Sequence, residues 1–149
     1  MDKPVASKPA APGRADYRWF LTIPTRWMDN DVYGHVNNVV YYSYFDTVVN
    51  KMLIDEGLLD IERSPVIGLC VESHCSFTAP IVFPETVEAA LRIGRLGTSS
   101  VRYEIGLFRA GIEPAAATGH FVHVFVDRTT RRPVPLEAKA RAVLERLSA

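Results

Sequence analysis

The sequence predicts an α+β domain in which one long helix packs against an antiparallel sheet of five strands. Two observations lead to this fold class. Apolar residues recur at three- and four-residue steps between residues 37 and 56, which is the spacing of a helix. Between residues 66 and 127, apolar and polar residues alternate in runs joined by short turns. Links this short connect antiparallel strands, because a parallel crossover needs a much longer connection.

The first strand and the long helix follow from local residue types. Residues 17–22 are aromatic and β-rich, which predicts a short strand. The helix begins at Asn37 or Asn38, since asparagine is a good N-cap, and ends at Glu56. Gly57 then occupies the position where a left-handed residue commonly follows a helix.

The rest of the chain predicts four more strands and a short helix. The helix covers residues 136–147, and the strands cover residues 66–77, 85–96, 99–109 and 116–127. The long helix is apolar on almost every side, so we expect it to be enclosed. One sheet of this size covers only one side of it. The sequence therefore predicts a homodimer or a homotetramer.

Two segments differ in composition. Residues 1–15 are rich in Pro, Ala and Lys and show no periodicity, so we expect a flexible tail that folding and function do not need. Residues 16–149 have the size of a single domain.

Charge and hydropathy exclude several classes of partner. The 17 basic residues balance the 17 acidic ones, so the strong positive field of a nucleic-acid-binding protein is missing. No apolar run reaches the roughly 20 residues of a membrane-spanning helix, and the N-terminus does not resemble a secretory signal. We therefore expect a cytoplasmic protein. Cys70 and Cys75 are expected to be reduced, buried and on opposite faces of one strand.

Carboxylates, amides and a histidine are concentrated in residues 29–38, immediately before the long helix. Free amides at a helix N-terminus can stabilise a negative oxygen, and a nearby carboxylate can act as a base or a nucleophile. Asp29 and Asp31 also suit a purely structural role as caps of the helix or of its preceding turn. His35 similarly suits either structural support or substrate contact.

The string at residues 31–38, Asp-x-x-Gly-His-Val-Asn-Asn, resembles the hotdog-fold acyl-CoA thioesterases of the 4-hydroxybenzoyl-CoA thioesterase type. The resemblance continues through Phe77-x-x-Pro80, the hairpin at residues 97–100 and Val126-Asp127. It covers roughly residues 17–147 in the order of elements given above. A match of this length is improbable by chance.

The resemblance implies a hotdog fold, in which a curved five-stranded sheet wraps around one central helix, and active sites at a dimer interface. It places the catalytic carboxylate at Asp31. The other expected catalytic-site residues are Gly34, His35 and Asn38, where Asn38 stands at a position that is His in some branches. Substrate contacts are expected from Tyr33 and, at the hairpin where the benzoyl-CoA type carries basic residues, from Arg95, Thr98 and Ser99. Arg128, Arg131 and Arg132 complete the pool of arginines expected near the CoA phosphates.

The expected activity is hydrolysis of an acyl-CoA to a free acid and CoA, without a metal or other cofactor. The residues leave two alternatives open, a thioesterase for acyl carrier protein and a non-catalytic module that binds acyl-CoA. The spacing of the candidate ligands does not match a known metal-binding motif. The run from Asp29 lacks the Glu that a calcium loop needs at its twelfth position, and His74, His120 and His123 lack zinc-type spacing.

Overall fold

An antiparallel sheet of five strands forms the framework of the protein. The computed structural model describes residues 12–149. Its strands lie in the order β1-β3-β4-β5-β2, and all neighbouring pairs are antiparallel. Their bounds are β1 (Trp19–Pro24), β2 (Val66–Phe77), β3 (Thr86–Leu96), β4 (Ser100–Arg109) and β5 (Ala117–Asp127). The helices are α1 (Asn38–Asp55) and α2 (Ala138–Arg146). These elements confirm the predicted fold class.

Helix α1 has the ends that the sequence predicts. The Asn37 side chain accepts a hydrogen bond from the Val39 N–H, which satisfies one of the free donors at the helix start. Gly57 has a φ of 73°, the left-handed conformation that ends the helix. The side chains of α1 that pack against the sheet are buried: Tyr41, Tyr44, Phe45, Val48, Val49, Met52 and Leu53.

The opposite side of α1 differs from the expected apolar surface. Its middle turns expose Ser43, Asp46 and Thr47, whereas Val39 and Ile54 are the exposed apolar residues near its two ends. One protomer therefore covers the helix on one side only, and the uncovered side is largely polar. The periodicity indicated the buried face correctly but overstated the apolar character of the other face.

Strand β2 contains a β-bulge that the sequence did not reveal. The pairing register with β5 shifts between Cys70 and Glu72. As a result, Cys70 lies opposite His123 and Cys75 lies opposite Gly119, which are four residues apart and so on the same face of β5. The prediction that the two thiols lie on opposite faces was therefore wrong. Both are free as expected, but only Cys75 is buried, and burial raises its pKa to about 11.

The packed part of the chain begins earlier than expected. Residues 1–11 of the predicted tail lie outside the described residues. Arg14, also assigned to the tail, forms ion pairs with Glu88 and Glu113, and its guanidinium lies 4.6 Å from the Phe108 ring centroid. Such contacts across the sheet cannot be read from local composition, which is why the expected boundary at residue 16 falls too late.

His123 is a buried titratable group in the core. Its side chain is 2% exposed, and its Nδ1 lies 3.2 Å from the Tyr103 hydroxyl. Gly68 leaves room for the ring, since a Cβ at this position would lie 2.6 Å from that same nitrogen. Burial lowers the pKa of His123 to about 4.

The low pKa of His123 predicts a pH-dependent stability. An unfolded histidine binds a proton near pH 6.5, so this site destabilises the folded protein progressively from about pH 6.5 down to about pH 4. In urea unfolding, the stability advantage of the wild type over His123→Gln should shrink by about 3 kcal/mol between pH 7 and pH 4. His74→Gln, on the exposed part of β2, is the matched control. An equal change in that variant would contradict the assignment to His123.

Candidate active site

The loop between β1 and α1 is tied to the segment that precedes β3. The Val36 N–H donates to the Ile81 carbonyl at 2.8 Å, and the Phe83 N–H donates to the Asn30 side chain at 3.1 Å. At the start of the loop, the Thr25 N–H donates to the Glu85 carbonyl. These bonds hold the polar segment that the sequence singled out at one end of the sheet.

Asp29 is a structural carboxylate. It is 1% exposed and accepts hydrogen bonds from the Arg26 N–H at 2.8 Å and from the Tyr44 hydroxyl at 2.8 Å. The Arg26 guanidinium adds an ion pair at 2.9 Å. Burial on its own would raise the pKa of Asp29, but the bonds from Arg26 and Tyr44 outweigh it and lower the pKa. Its oxygens are thus occupied by fixed donors, as in the structural alternative considered for this residue.

Asp31 occupies a different environment. It is half-buried, its Oδ1 accepts from the Tyr33 N–H at 2.8 Å, and its Oδ2 accepts from the Asn37 side-chain amide at 3.2 Å. The Gly34 N–H closes the turn on the Asp31 carbonyl, and Gly34 adopts a φ of 85° that favours glycine. A carboxylate has about four acceptor positions. Asp31 therefore keeps capacity to bind a water or a substrate.

A cleft of about 270 Å³ lies beside the first turn of α1. Its lining residues are His35, Val36, Asn38, Tyr41, Phe77, Thr78, Ala79 and Pro80. Asp31 is not one of these residues, but its N–H donates to the carbonyl of His35, which is one of them, at 3.0 Å. The Asn38 N–H, at the first position of the helix, has no hydrogen-bond acceptor among residues 12–149. The junction thus combines a carboxylate with a free amide donor at a cleft.

The described residues show no group arranged for a metal. Within residues 12–149, no three His, Cys, Asp or Glu side chains are arranged to hold a metal ion, and no helix is long and apolar enough to cross a membrane. A second cavity, of about 210 Å³, lies at the other end of α1 against α2.

The predicted site residues form two separate groups. Asp31, Gly34, His35, Asn38 and the exposed Tyr33 lie together at the start of α1. Arg95, Thr98 and Ser99 lie at the far end of β3. This strand has 11 residues, so roughly 30 Å separate its two ends. One protomer does not bring the two groups together.

The hairpin group is only partly available for ligand contacts. Within residues 12–149, Arg95 is exposed and makes no side-chain hydrogen bond or ion pair. Arg128, by contrast, donates to the carbonyls of Ser64 and Ile61, so its guanidinium is used to fasten the loop before β2. Arg128 is therefore no longer a candidate for contact with a phosphate group.

Two contributors to the site were not recognised from the sequence. The sequence indicates Asn37 only as a possible helix cap, although its amide also contacts Asp31. Tyr44 lies on the buried face of α1, and the sequence gives no sign that its hydroxyl binds Asp29. The spacing of neither residue gives a signal for these contacts, because both depend on the path of the loop.

Comparison with known proteins identifies the family. A family model described as the Thioesterase-like superfamily matches residues 25–145 of the chain. The chain belongs to this superfamily. It is a thioester hydrolase, and the hotdog fold expected from the resemblance is confirmed. No curated protein matches the chain.

Solved structures with the same architecture extend this result. The PA5185 protein of Pseudomonas aeruginosa is 52% identical with a TM-score of 0.91, and the match covers 93% of this chain and 97% of that one. The PA2801 protein of the same organism is 33% identical with a TM-score of 0.78, covering 83% and 95%. BH1999 gentisyl-coenzyme A thioesterase shares the fold at 23% identity with a TM-score of 0.76, covering 85% and 99%.

The contrast between the two carboxylates predicts different effects on stability. Asp29→Asn weakens the charge-assisted hydrogen bonds from the Arg26 N–H and the Tyr44 hydroxyl, and should cost about 2 kcal/mol in urea unfolding at pH 7. Asp31→Asn should cost less than about 1 kcal/mol, because asparagine serves equally well at a turn or cap.

The stability effect of Asp29→Asn should also depend on pH. The pKa of Asp29 is lowered in the folded protein, so its contribution is present above the unfolded value near 4 and is lost as the pH falls through the folded value. The stability difference between Asp29→Asn and the wild type should therefore narrow in acid. Equal losses for both variants at pH 7 would contradict the structural role of Asp29.

Proposed function

We propose that this thioesterase hydrolyses acyl-CoA, with Asp31 as the general base or nucleophile. The observation that carries the proposal is that the Asp31 carboxylate is bound by Asn37, the residue that precedes the free Asn38 N–H, and that Asn38 lines the cleft. Asp31 is the acidic residue of this loop that retains acceptor capacity, whereas Asp29 is enclosed by its partners.

The geometry suits both routes of thioester hydrolysis. As a base, Asp31 would take a proton from water while the water oxygen attacks the carbonyl carbon. As a nucleophile, its own oxygen would attack, and water would then hydrolyse the acyl anhydride. In each route the carbonyl oxygen becomes negative, the C–S bond breaks and CoA leaves as the thiolate, which is then protonated. The Asn38 N–H and the positive end of the α1 dipole would stabilise that oxygen.

The remaining loop residues have supporting roles in this proposal. Gly34 permits the turn that directs the Asp31 carboxylate outward, and its missing side chain leaves open space, since no atom lies within 4 Å of a Cβ position. His35 and Asn38 line the cleft, and the exposed Tyr33 ring would contact substrate in this proposal.

The choice of CoA as carrier rests on two arguments. The motif at residues 31–38 resembles that of acyl-CoA thioesterases, and one protein of the same fold is a gentisyl-coenzyme A thioesterase. A panel of butyryl-, octanoyl-, palmitoyl- and benzoyl-CoA, assayed for released thiol, tests it. Turnover supports the proposal, and saturable binding without turnover would favour a non-catalytic module.

A homodimer is proposed to complete the site. Among residues 12–149, β2 pairs only with β5, so its other edge is unpaired, and the strand also exposes Val71 and Phe77. The loop also exposes apolar side chains that a monomer would leave in water: Trp27, Met28, Val32 and Tyr33. Both features suit a second copy that extends the sheet.

An antiparallel pairing of two β2 strands would also join the two groups of site residues. Phe77, at one end of β2, lines the cleft beside Asp31. The other end, at Val66, pairs with β5 near Phe125, whose N–H donates to the Ser99 carbonyl at 2.7 Å. A twofold axis through the β2 pair would bring the cleft of one protomer close to Ser99 of the partner subunit.

The sharpest kinetic prediction concerns Asp31. Asp31→Asn keeps the size of the side chain but removes its charge, so kcat should fall by roughly 100-fold or more. Asp55→Asn, at an exposed ion pair with Lys51 near the other end of α1, is the control and should keep wild-type turnover. Circular dichroism checks that both variants are folded. A folded Asp31→Asn protein with near-normal turnover would refute the catalytic role.

The shared site predicts complementation between two defective variants. Asp31→Asn and the double variant Arg95→Ala/Ser99→Ala should each have low activity on acyl-CoA. When they are refolded together, mixed dimers contain one intact site, so about a quarter of the wild-type sites should return. If the two groups served separate functions within one protomer, mixing would restore no activity.

A further inference from the structure

We propose that Asn37 is a positioning residue that sets the Asp31 carboxylate relative to the oxyanion donor. This proposal rests on the proposed role of Asp31. The observation behind it is that a single planar amide contacts the Asp31 carboxylate at one end and the first turn of α1 at the other. Its Nδ2 donates to Asp31 Oδ2 at 3.2 Å, while its Oδ1 accepts from the Val39 N–H at 3.0 Å.

The two contacts determine the orientation of the amide. The Val39 N–H is a donor and needs the amide oxygen, whereas the Asp31 carboxylate is an acceptor and needs the amide nitrogen. In a flipped amide, the nitrogen would face the Val39 N–H, another donor, and the oxygen would face the Asp31 carboxylate, another acceptor. The Asn37 side chain is therefore locked in a single orientation by its partners.

The backbone of Asn37 is fixed as well. Its N–H donates to the Asp29 carbonyl at 2.8 Å, and its carbonyl accepts from the Val40 N–H at 2.9 Å. The Asp29 side chain in turn accepts from the Tyr44 hydroxyl, in the second turn of α1. Asn37 is thus anchored to α1 directly through the cap and indirectly through Asp29 and Tyr44.

This arrangement links the base to the oxyanion donor. The free N–H belongs to Asn38, the next residue along the chain. The hydrogen bond from the Val39 N–H to the Asn37 side chain fixes the direction of this N–H. Asp31 is held by the other end of the same amide. One side chain therefore sets the separation between the attacking group and the donor, and catalysis is sensitive to displacements of about 1 Å.

The test compares two substitutions at residue 37 that preserve the helix cap. Asn37→Asp caps as well as asparagine but places a second carboxylate against Asp31. With the acyl-CoA of the panel that the wild type hydrolyses fastest, kcat/KM at pH 7 should fall at least tenfold. The acid limb of its pH profile should move to higher pH by about one unit. The shift of that limb checks that residue 37 contacts the group that titrates in catalysis, and Asn37→Ser tests the positioning role itself.

Asn37→Ser also caps the helix, but its side chain is too short to reach Asp31. Its kcat should fall about tenfold with little change in KM, because binding of substrate is retained while Asp31 is released. In the Asp31→Asn background, Asn37→Ser should change kcat less than twofold, because the carboxylate that Asn37 positions is then absent.

Asn50→Asp is the matched control. Asn50 is also in α1 and donates to an aspartate, Asp46, at 2.9 Å, so the substitution creates a similar pair of carboxylates away from the cleft. It should keep the wild-type kcat and pH profile. Chemical unfolding of every variant identifies losses that come from stability alone.

The outcomes separate the two proposals. If Asp31→Asn retains near-normal turnover, the catalytic assignment fails and the positioning role falls with it. If Asp31→Asn is inactive but folded Asn37→Ser is unimpaired, only the positioning role is overturned. An equal loss from Asn37→Ser in both backgrounds would also overturn it, because the residue would then act independently of Asp31. Should Asn37→Asp fail to fold, Asn37→Ser and the double variant decide the question.

Discussion

The buried Asp29 carboxylate imposes the constraint on which the active-site loop depends. A charge with 1% exposure is stable only when donors surround it, and these come from Arg26 in the loop and Tyr44 in the helix. The chain must therefore return to α1 along a path that keeps both donors in place. That path brings the Asp29 carbonyl to the Asn37 N–H and so determines where α1 begins. Asp31 is two residues away, close enough to be positioned by this anchor but outside the set of donors that encloses Asp29.

Features governed by local sequence could be predicted well. The N-cap and Gly57 determine the ends of α1, and alternation with short turns determines the hairpins, so the observed bounds fall within about two residues of the expected ones. The fold class followed from those elements. The residues of the motif at 31–38 remain together at the candidate site because they are contiguous in the sequence.

Features governed by contacts between distant residues could not be predicted. The bulge at Cys70 depends on the register with β5, and the role of Arg14 depends on Glu88 and Glu113, far along the chain. Two aspartates spaced by one residue give the same local signal, although one becomes enclosed and the other remains available. Only the folded loop distinguishes the enclosed carboxylate from the accessible one. The separation of Arg95 from Asp31 is likewise a property of the sheet and not of the motif.

The pairing of Gly68 with His123 has a consequence for how relatives of this protein can diverge. A methyl group at residue 68 would overlap three atoms of the imidazole, all within 3 Å, and the ring is held on its other sides by Tyr103, Phe121 and Phe125. The two positions are therefore epistatic. A lineage can enlarge residue 68 only after residue 123 has become smaller, so the order of the two substitutions is constrained even though neither residue touches the cleft.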